Sequence, residues 1–149
     1  VDLEPTDTAE QAFRKALPCA RRVLARQIDA LLAGTAPESP QDETQATCFG
    51  GRTPEDGRVD WTQTSRQIFD LVRAVTDPYP GAFADVQGAR LMLWWAEPDS
   101  PATRGRSGRP GEILALTPLV VATGDGALEF TRTEWRGTPA PVLQIGQTL

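Results

Sequence analysis

Histidine is absent from all 149 residues, and this absence excludes more than any residue present. Without an imidazole there is no histidine general base, no serine–histidine pair and no histidine-ligated metal. Two cysteines, Cys19 and Cys48, are too few and too scattered for a disulfide framework. Without histidine they also make no zinc site, and they read as two reduced thiols. No apolar run approaches the roughly 20 residues that a membrane-spanning helix needs, so no membrane partner is expected. The opening Val1-Asp2-Leu3-Glu4-Pro5 is acidic and polar and lacks the pattern of a secretion signal, so the expected compartment is the cytoplasm. The start on valine rather than methionine reads as a processed or excised fragment. Basic charge is short as well. Fifteen Lys and Arg against 20 Asp and Glu give a net charge of −5, which argues against a broad phosphate-neutralising surface.

The residues that are present describe a globular chain with many turns. Forty per cent are hydrophobic and 23% charged, a balance that folds rather than stays disordered. Thirteen Gly and thirteen Pro favour short strands over long helices. A first helix is nevertheless clear. Asp7 or Thr8 can cap it, with Glu10 or Gln11 at the capping-box spacing. Phe13, Ala16, Leu17, Ala20, Val23, Leu24, Ile28, Leu31 and Leu32 recur at helical intervals, so one face should be buried. Gly34 is a natural stop. Pro18 predicts a kink or a break into two helices, because an interior proline removes one hydrogen bond and costs about 3 kcal/mol. The stripe is wider than the rest of the chain requires. Residues 1–34 are therefore expected to be the last helix of a domain whose body lies upstream of Val1.

Residues 35–60, polar and rich in Pro and Gly, read as a linker with a short apolar patch at Ala46-Thr47-Cys48-Phe49. Residues 61–149 read as one domain. Thr62 or Thr64 caps a second helix, Thr64 having Gln67 at the capping-box interval, with Ile68, Leu71, Val72 and Val75 on its apolar face. Pro78 forbids its continuation. Beyond Gly81 the pattern becomes β: 82–86 and 89–96 flank a Gln87-Gly88 turn, followed by 112–116, 119–123 and 127–133, with Gly124-Asp125-Gly126 turning between the last two. Residues 143–149 read as a further edge strand. Five or six short strands in about 70 residues predict a small closed or partly open barrel.

Several stretches resemble the methionyl-tRNA formyltransferase family in its broad sense. They are Asp7-Thr8-Ala9, Ala46-Thr47-Cys48-Phe49-Gly50, the run Arg52-Thr53-Pro54-Glu55-Asp56-Gly57-Arg58-Val59-Asp60-Trp61, and Arg73 to Phe83 with Asp77-Pro78-Tyr79-Pro80-Gly81-Ala82-Phe83 at its end. They follow the family's order over nearly the whole chain. Within it the chain looks most like the formyltransferase part of the polymyxin-resistance enzymes, which formylate UDP-4-amino-4-deoxy-L-arabinose in lipid A modification. The cues are Cys48-Phe49-Gly50 before Arg52-Thr53-Pro54, Leu71 to Val75, and Pro118 to Glu129. That subfamily usually has a second basic residue beside Arg52, where this chain has Gly51.

The resemblance implies an α+β architecture: an N-terminal helix and linker, then a helix and a small oligonucleotide-binding-like β-barrel, the C-terminal domain of a formyltransferase. It implies a cofactor, 10-formyl-tetrahydrofolate, bound by an N-terminal half that carries the catalytic Asn, His and Asp. None of those motifs occurs in this chain, so no catalytic residue and no turnover are expected from it alone. Implied partners are that N-terminal catalytic domain, a UDP-amino sugar and further copies in a homo-oligomer. The substrate-binding candidates are Phe49, for stacking on a nucleobase, and Arg52, for a pyrophosphate; the alternative for both is a linker anchor and a solvated cation. No metal or nucleic-acid site is expected. Trp94 and Trp95, adjacent in a strand, face opposite ways; one should be core, and for the other barrel packing or interface burial is favoured over base stacking. For Arg104, Arg106 and Arg109, the only local basic cluster, a solvated loop is favoured over contact with RNA or a phosphate, and Asp125 reads as a turn residue. Two alternatives stand beside the sugar-nucleotide reading: a tRNA-gripping domain, disfavoured because residues 82–149 hold 6 basic against 7 acidic residues, and a non-catalytic binding module.

Overall fold

Local sequence determines both helices. In the computed structural model, which describes residues 1–137 and 140–149, α1 runs from Ala9 to Leu32. The Thr8 side chain accepts from the Gln11 amide, and the Gln11 side chain accepts from the Thr8 amide. At the other end Gly34 adopts φ +67°. The Gly34 N–H bonds Leu31 O at 3.2 Å and the Thr35 N–H bonds Ala30 O at 2.8 Å, the paired bonds of a Schellman stop. Pro18 does not divide the helix, which is continuous through it. The turns on either side are built from Ala, Leu, Arg, Lys and Gln, strong helix formers that sustain the helix around one missing bond.

The chain forms two compact units, Val1–Arg52 and Thr53–Leu149. In the first, α1 buries none of its residues; Phe13, Leu17, Val23, Leu24, Leu31 and Leu32 are all exposed. Only a short 3-10 turn, Glu43–Gln45, capped by Asp42, punctuates the residues that follow. The second unit begins before the end of the stretch that reads as a linker. Residues 53–60 pack with the sheet: Gly57 is buried and Val59 is part of the core.

In the second unit, α2 spans Ser65–Val75, with Thr64 and Gln67 forming the capping box. Five strands follow: β1 Ala82–Val86, β2 Ala89–Glu97, β3 Ile113–Leu116, β4 Leu119–Ala122 and β5 Ala127–Arg136. They form one antiparallel sheet in the order β1-β2-β5-β4-β3. Gln87 at φ +49° and Gly88 at φ +84° make the β1–β2 turn. Shifts of register in β2 near Trp95 and in β3 after Ile113 bend the sheet, as bulges do. The inner face shares a core with α2: Ile68, Phe69 and Val72 lie among Leu91, Leu93, Val121, Leu128 and Phe130, and Val59 and Trp61 complete it. Phe69 is fully buried and meets Trp95 edge-on at 5.7 Å; Trp61 meets Phe130 in the same way.

Residues 143–149 form no strand. They pair with the β3 side through a bridge between Glu112 and Thr148 and through the bonds Ile113 N–H to Gln147 O and Leu149 N–H to Gly111 O. Gly146 at φ +85° and the Gln147 N–H bond to Gln144 O fold the segment into a turn, which interrupts the extended geometry that a strand requires.

Candidate functional site

The two motifs that carry most of the resemblance meet in space. Thr53 and Asp56 cap each other around the 3-10 turn Pro54–Gly57, and the chain then lies against β1. The Val59 N–H donates to Phe83 O at 2.9 Å, and Arg58 bridges Phe83 in parallel register. Gly57 is required here by close approach, since a Cβ on it would lie 2.4 Å from Gly81 O. Gly81 itself has φ +90°, and a Cβ there would strike Met92 and Trp94 at 2.7 Å. The motif glycines thus serve packing between residues 53–60 and the entry to β1.

Above this junction four charges close a ring. Glu55 accepts from Arg58 at 3.1 Å and from both terminal nitrogens of Arg90 at 3.2 Å. Asp85 accepts from Arg90 at 2.9 Å and pairs with Arg58 at 2.6 Å. The hydrogen bond from Arg90, helped by that from Arg58, holds the Asp85 carboxyl below the usual carboxylate range. Asp85 in turn raises both guanidiniums. Both cations also lie over the Phe83 ring, Arg58 at 5.0 Å and Arg90 at 3.6 Å from its centroid. Sequence reasoning did not single out these four residues. Part of the signal was legible, since a turn at Gln87-Gly88 sets Asp85 directly opposite Arg90.

Phe83, Met92 and Trp94 form a second buried cluster on the outer face of the sheet. Trp94 is only 6% exposed. Its Nε1–H donates to Glu134 at 2.9 Å, and Arg132 and Arg136 each lie 5.4 Å from its ring. Trp95 faces the other way, onto Phe69, and its Nε1–H donates to Glu97. The adjacent tryptophans lie on opposite faces, as the strand pattern suggests, and both pack, so neither ring is bare for base stacking.

The remaining polar candidates have local roles. Asp125 accepts from the Ser65 N–H at 2.7 Å, at the start of α2, which places its carboxyl below the usual range, chiefly through that bond. The Ser65 hydroxyl pairs with the Thr123 hydroxyl at 2.8 Å, and the Gly124 N–H bonds Gln63 O at 2.8 Å. The β4–β5 turn is thereby fastened to the start of α2. Arg106 donates to Leu114 O, and Arg109 meets Glu112 through its main chain at 3.0 Å and its side chain at 3.6 Å. Those two arginines tie down their own loop, and Arg104 is exposed.

Phe49 and Arg52 lie at the end of the first unit, in residues without regular structure. Phe49 is 89% exposed, the most exposed large apolar side chain described, and Arg52 is exposed too. Among the described residues no cluster of His, Cys, Asp and Glu can hold a metal ion, and no helix is long and apolar enough to cross a membrane.

The sequence profile of the formyl transferase C-terminal domain matches residues 52–142. Among solved structures, the chain is similar to HypX from Aquifex aeolicus. One HypX variant superposes with a TM-score of 0.62 at 25% identity, over 89% of this chain and 24% of that one. Another does so at 0.53 and 28%, over 76% and 20%. A third, HypX in complex with tetrahydrofolic acid, does so at 0.52 and 27%, again over 76% and 20%. The chain therefore spans about a fifth to a quarter of the length of the structures it resembles.

Proposed function

This chain belongs to the formyl transferase C-terminal domain family, and we propose on that premise that it is the substrate-shaping part of a 10-formyl-tetrahydrofolate-dependent formyltransferase acting on the amine of a UDP-amino sugar. The observation that carries the reading is the family match over residues 52–142. The similarity to HypX, solved with tetrahydrofolic acid, supports folate as the source of the formyl group.

Formyl transfer to an amine passes through a tetrahedral oxyanion, and it needs a donor for that charge and an acceptor for the amine proton. A chain without histidine supplies neither in the form the family resemblance implies. We therefore assign both to a catalytic domain preceding α1, whose exposed apolar stripe suits docking onto such a body. Folate is assigned to that domain too. Two depressions among the described residues, one along Pro18, Arg21, Arg22 and Ala25 and one among Pro98, Asp99, Ser100, Thr103 and Arg104, have no aromatic wall for a pterin.

This chain's part is then to orient the acceptor. Exposed Phe49 would stack on the uracil ring, and Arg52, three residues before Glu55, would pair with the pyrophosphate through its planar fork. The near-neutral sheet domain and the occupied face of Trp94 favour a sugar nucleotide over tRNA, which calls for a positive surface and bare rings. The experiment has two parts. Purified 1–149 given 10-formyl-tetrahydrofolate and UDP-amino sugar should form no formamide; turnover would refute the assignment of chemistry to another domain. In the enzyme containing the catalytic domain, Phe49→Ala with Arg52→Ala should raise the sugar-nucleotide KM by about tenfold or more, as expected for losing one charge-assisted contact and one stacking contact. An unchanged KM would reduce the two residues to linker anchors, and a salt-sensitive shift of initiator tRNA by 1–149 would favour the tRNA reading.

A further inference from the structure

The ring of Glu55, Arg58, Asp85 and Arg90 has an arrangement that isolated surface ion pairs lack. Each charge touches two of opposite sign, so the loss of one contact leaves every cation still paired. The ring joins two segments far apart in sequence: the turn at the beginning of the second unit and the β1–β2 hairpin. Apart from the ring, residues 53–58 are held to that hairpin by little main-chain bonding. The Val59 N–H bonds Phe83 O, and Gly57 lies flat against Gly81. All four ring side chains keep substantial solvent exposure, from 30% for Arg90 to 60% for Glu55.

We propose that residues 53–59 form a strap, closed on the β1–β2 hairpin by this ring of alternating charges, and that opening the ring releases the strap while the sheet and α2 stay folded. The geometry supports a local event. The strap adds one short bridge, Arg58 to Phe83, and one core side chain, Val59, to a core otherwise made by α2, Trp61 and the strands. Weakly held edges of this kind open below the free energy of global unfolding. Each pair in the ring is solvated and worth little alone, but both carboxylates must go before Arg58 and Arg90 are released together. This inference does not depend on what Phe49 and Arg52 bind.

Amide hydrogen exchange on the whole 1–149 chain tests it, with the Val59 amide as the reporter. The Val72 amide, inside α2 on a fully buried residue, serves as the reference for global opening. Glu55→Gln alone and Asp85→Asn alone should each accelerate Val59 exchange less than about twofold, whereas the double variant should accelerate it by about tenfold or more, the step that corresponds to losing the combined pairs. Val72 should keep its wild-type rate in all three. In the unmutated chain 1 M NaCl should reproduce the acceleration at Val59, because salt screens exposed charges, and this arm needs no variant to fold. The proposal is overturned if Val59 exchanges in step with Val72 throughout, or if neither the double variant nor salt changes the Val59 rate.

Discussion

Replacing Gly124 with alanine tests the packing between the β4–β5 turn and the start of α2. A Cβ at this position would lie 2.1 Å from Thr62 O, 2.9 Å from Thr62 C and 3.0 Å from Gln63 O. These are main-chain atoms, held by the cap of α2, and cannot rotate away. A carbon–oxygen contact settles near 3.3 Å, so the turn must retreat by about 1.2 Å. That displacement stretches the Gly124 N–H bond to Gln63 O from 2.8 Å to about 4 Å, which is no longer a hydrogen bond. It also pulls Asp125 off the Ser65 N–H. One neutral and one charge-assisted bond contribute about 1 and 1.5–3 kcal/mol. The expected loss is therefore about 3 kcal/mol, or a fall in Tm of roughly 10–20 °C for a domain of this size. All four tryptophans, Trp61, Trp94, Trp95 and Trp135, belong to the second unit, so tryptophan fluorescence during thermal unfolding reports on it without interference from α1. Gly126→Ala is the internal control. It sits in the same turn, yet its nearest neighbour would be the Ser65 hydroxyl at 3.9 Å, and it should move stability by no more than about 0.5 kcal/mol. Equal melting of the two variants would refute the contact argument.

Three further outcomes follow from packing and charge. Phe69→Ala, at a fully buried ring that meets Trp95 edge-on, should cost about 3–5 kcal/mol in chemical denaturation. Phe49→Ala, at a side chain 89% exposed, should change stability by no more than about 0.5 kcal/mol; a large loss there would mean that the ring is packed in solution. Asp125, whose carboxyl is held below its usual range by the Ser65 N–H, contributes stability that is present above the unfolded carboxylate pKa of about 3.9 and is lost as pH falls through the lower folded value. Asp125→Ala should therefore be destabilised relative to wild type at pH 6, with the gap narrowing below about pH 4; a gap independent of pH would show that the carboxylate charge contributes nothing.

Sequence revealed the features that depend on neighbours a few residues apart. The capping boxes of α1 and α2 each pair a threonine with a glutamine three residues later, the Gln87-Gly88 turn needs two residues at positive φ, and the apolar face of α2 repeats within one helix. Pro18 was harder, because the cost of an interior proline competes with the propensities of the residues around it, and the helix persisted. The end of the linker was harder still. Nothing local marks Val59 as a core residue; its burial depends on Phe83, 24 residues on, offering a carbonyl. Phe69 widens the apolar face of α2 only because Trp95 is there to meet it. The site residues show the same division. Residue type and resemblance point to Phe49 and Arg52, whereas the charge ring depends on bringing Glu55 to Arg90 across 35 residues of chain, a separation that no periodicity encodes.

The outer cluster of Phe83, Met92 and Trp94 has a colloidal consequence. A sheet with apolar side chains on both sides ordinarily invites a neighbour onto its second side. Here the guanidiniums of Arg58 and Arg90 over Phe83, and of Arg132 and Arg136 over Trp94, lay charge across that side, so whether this face of the sheet attracts a neighbour is set by four flexible side chains and hardly at all by the strands beneath them.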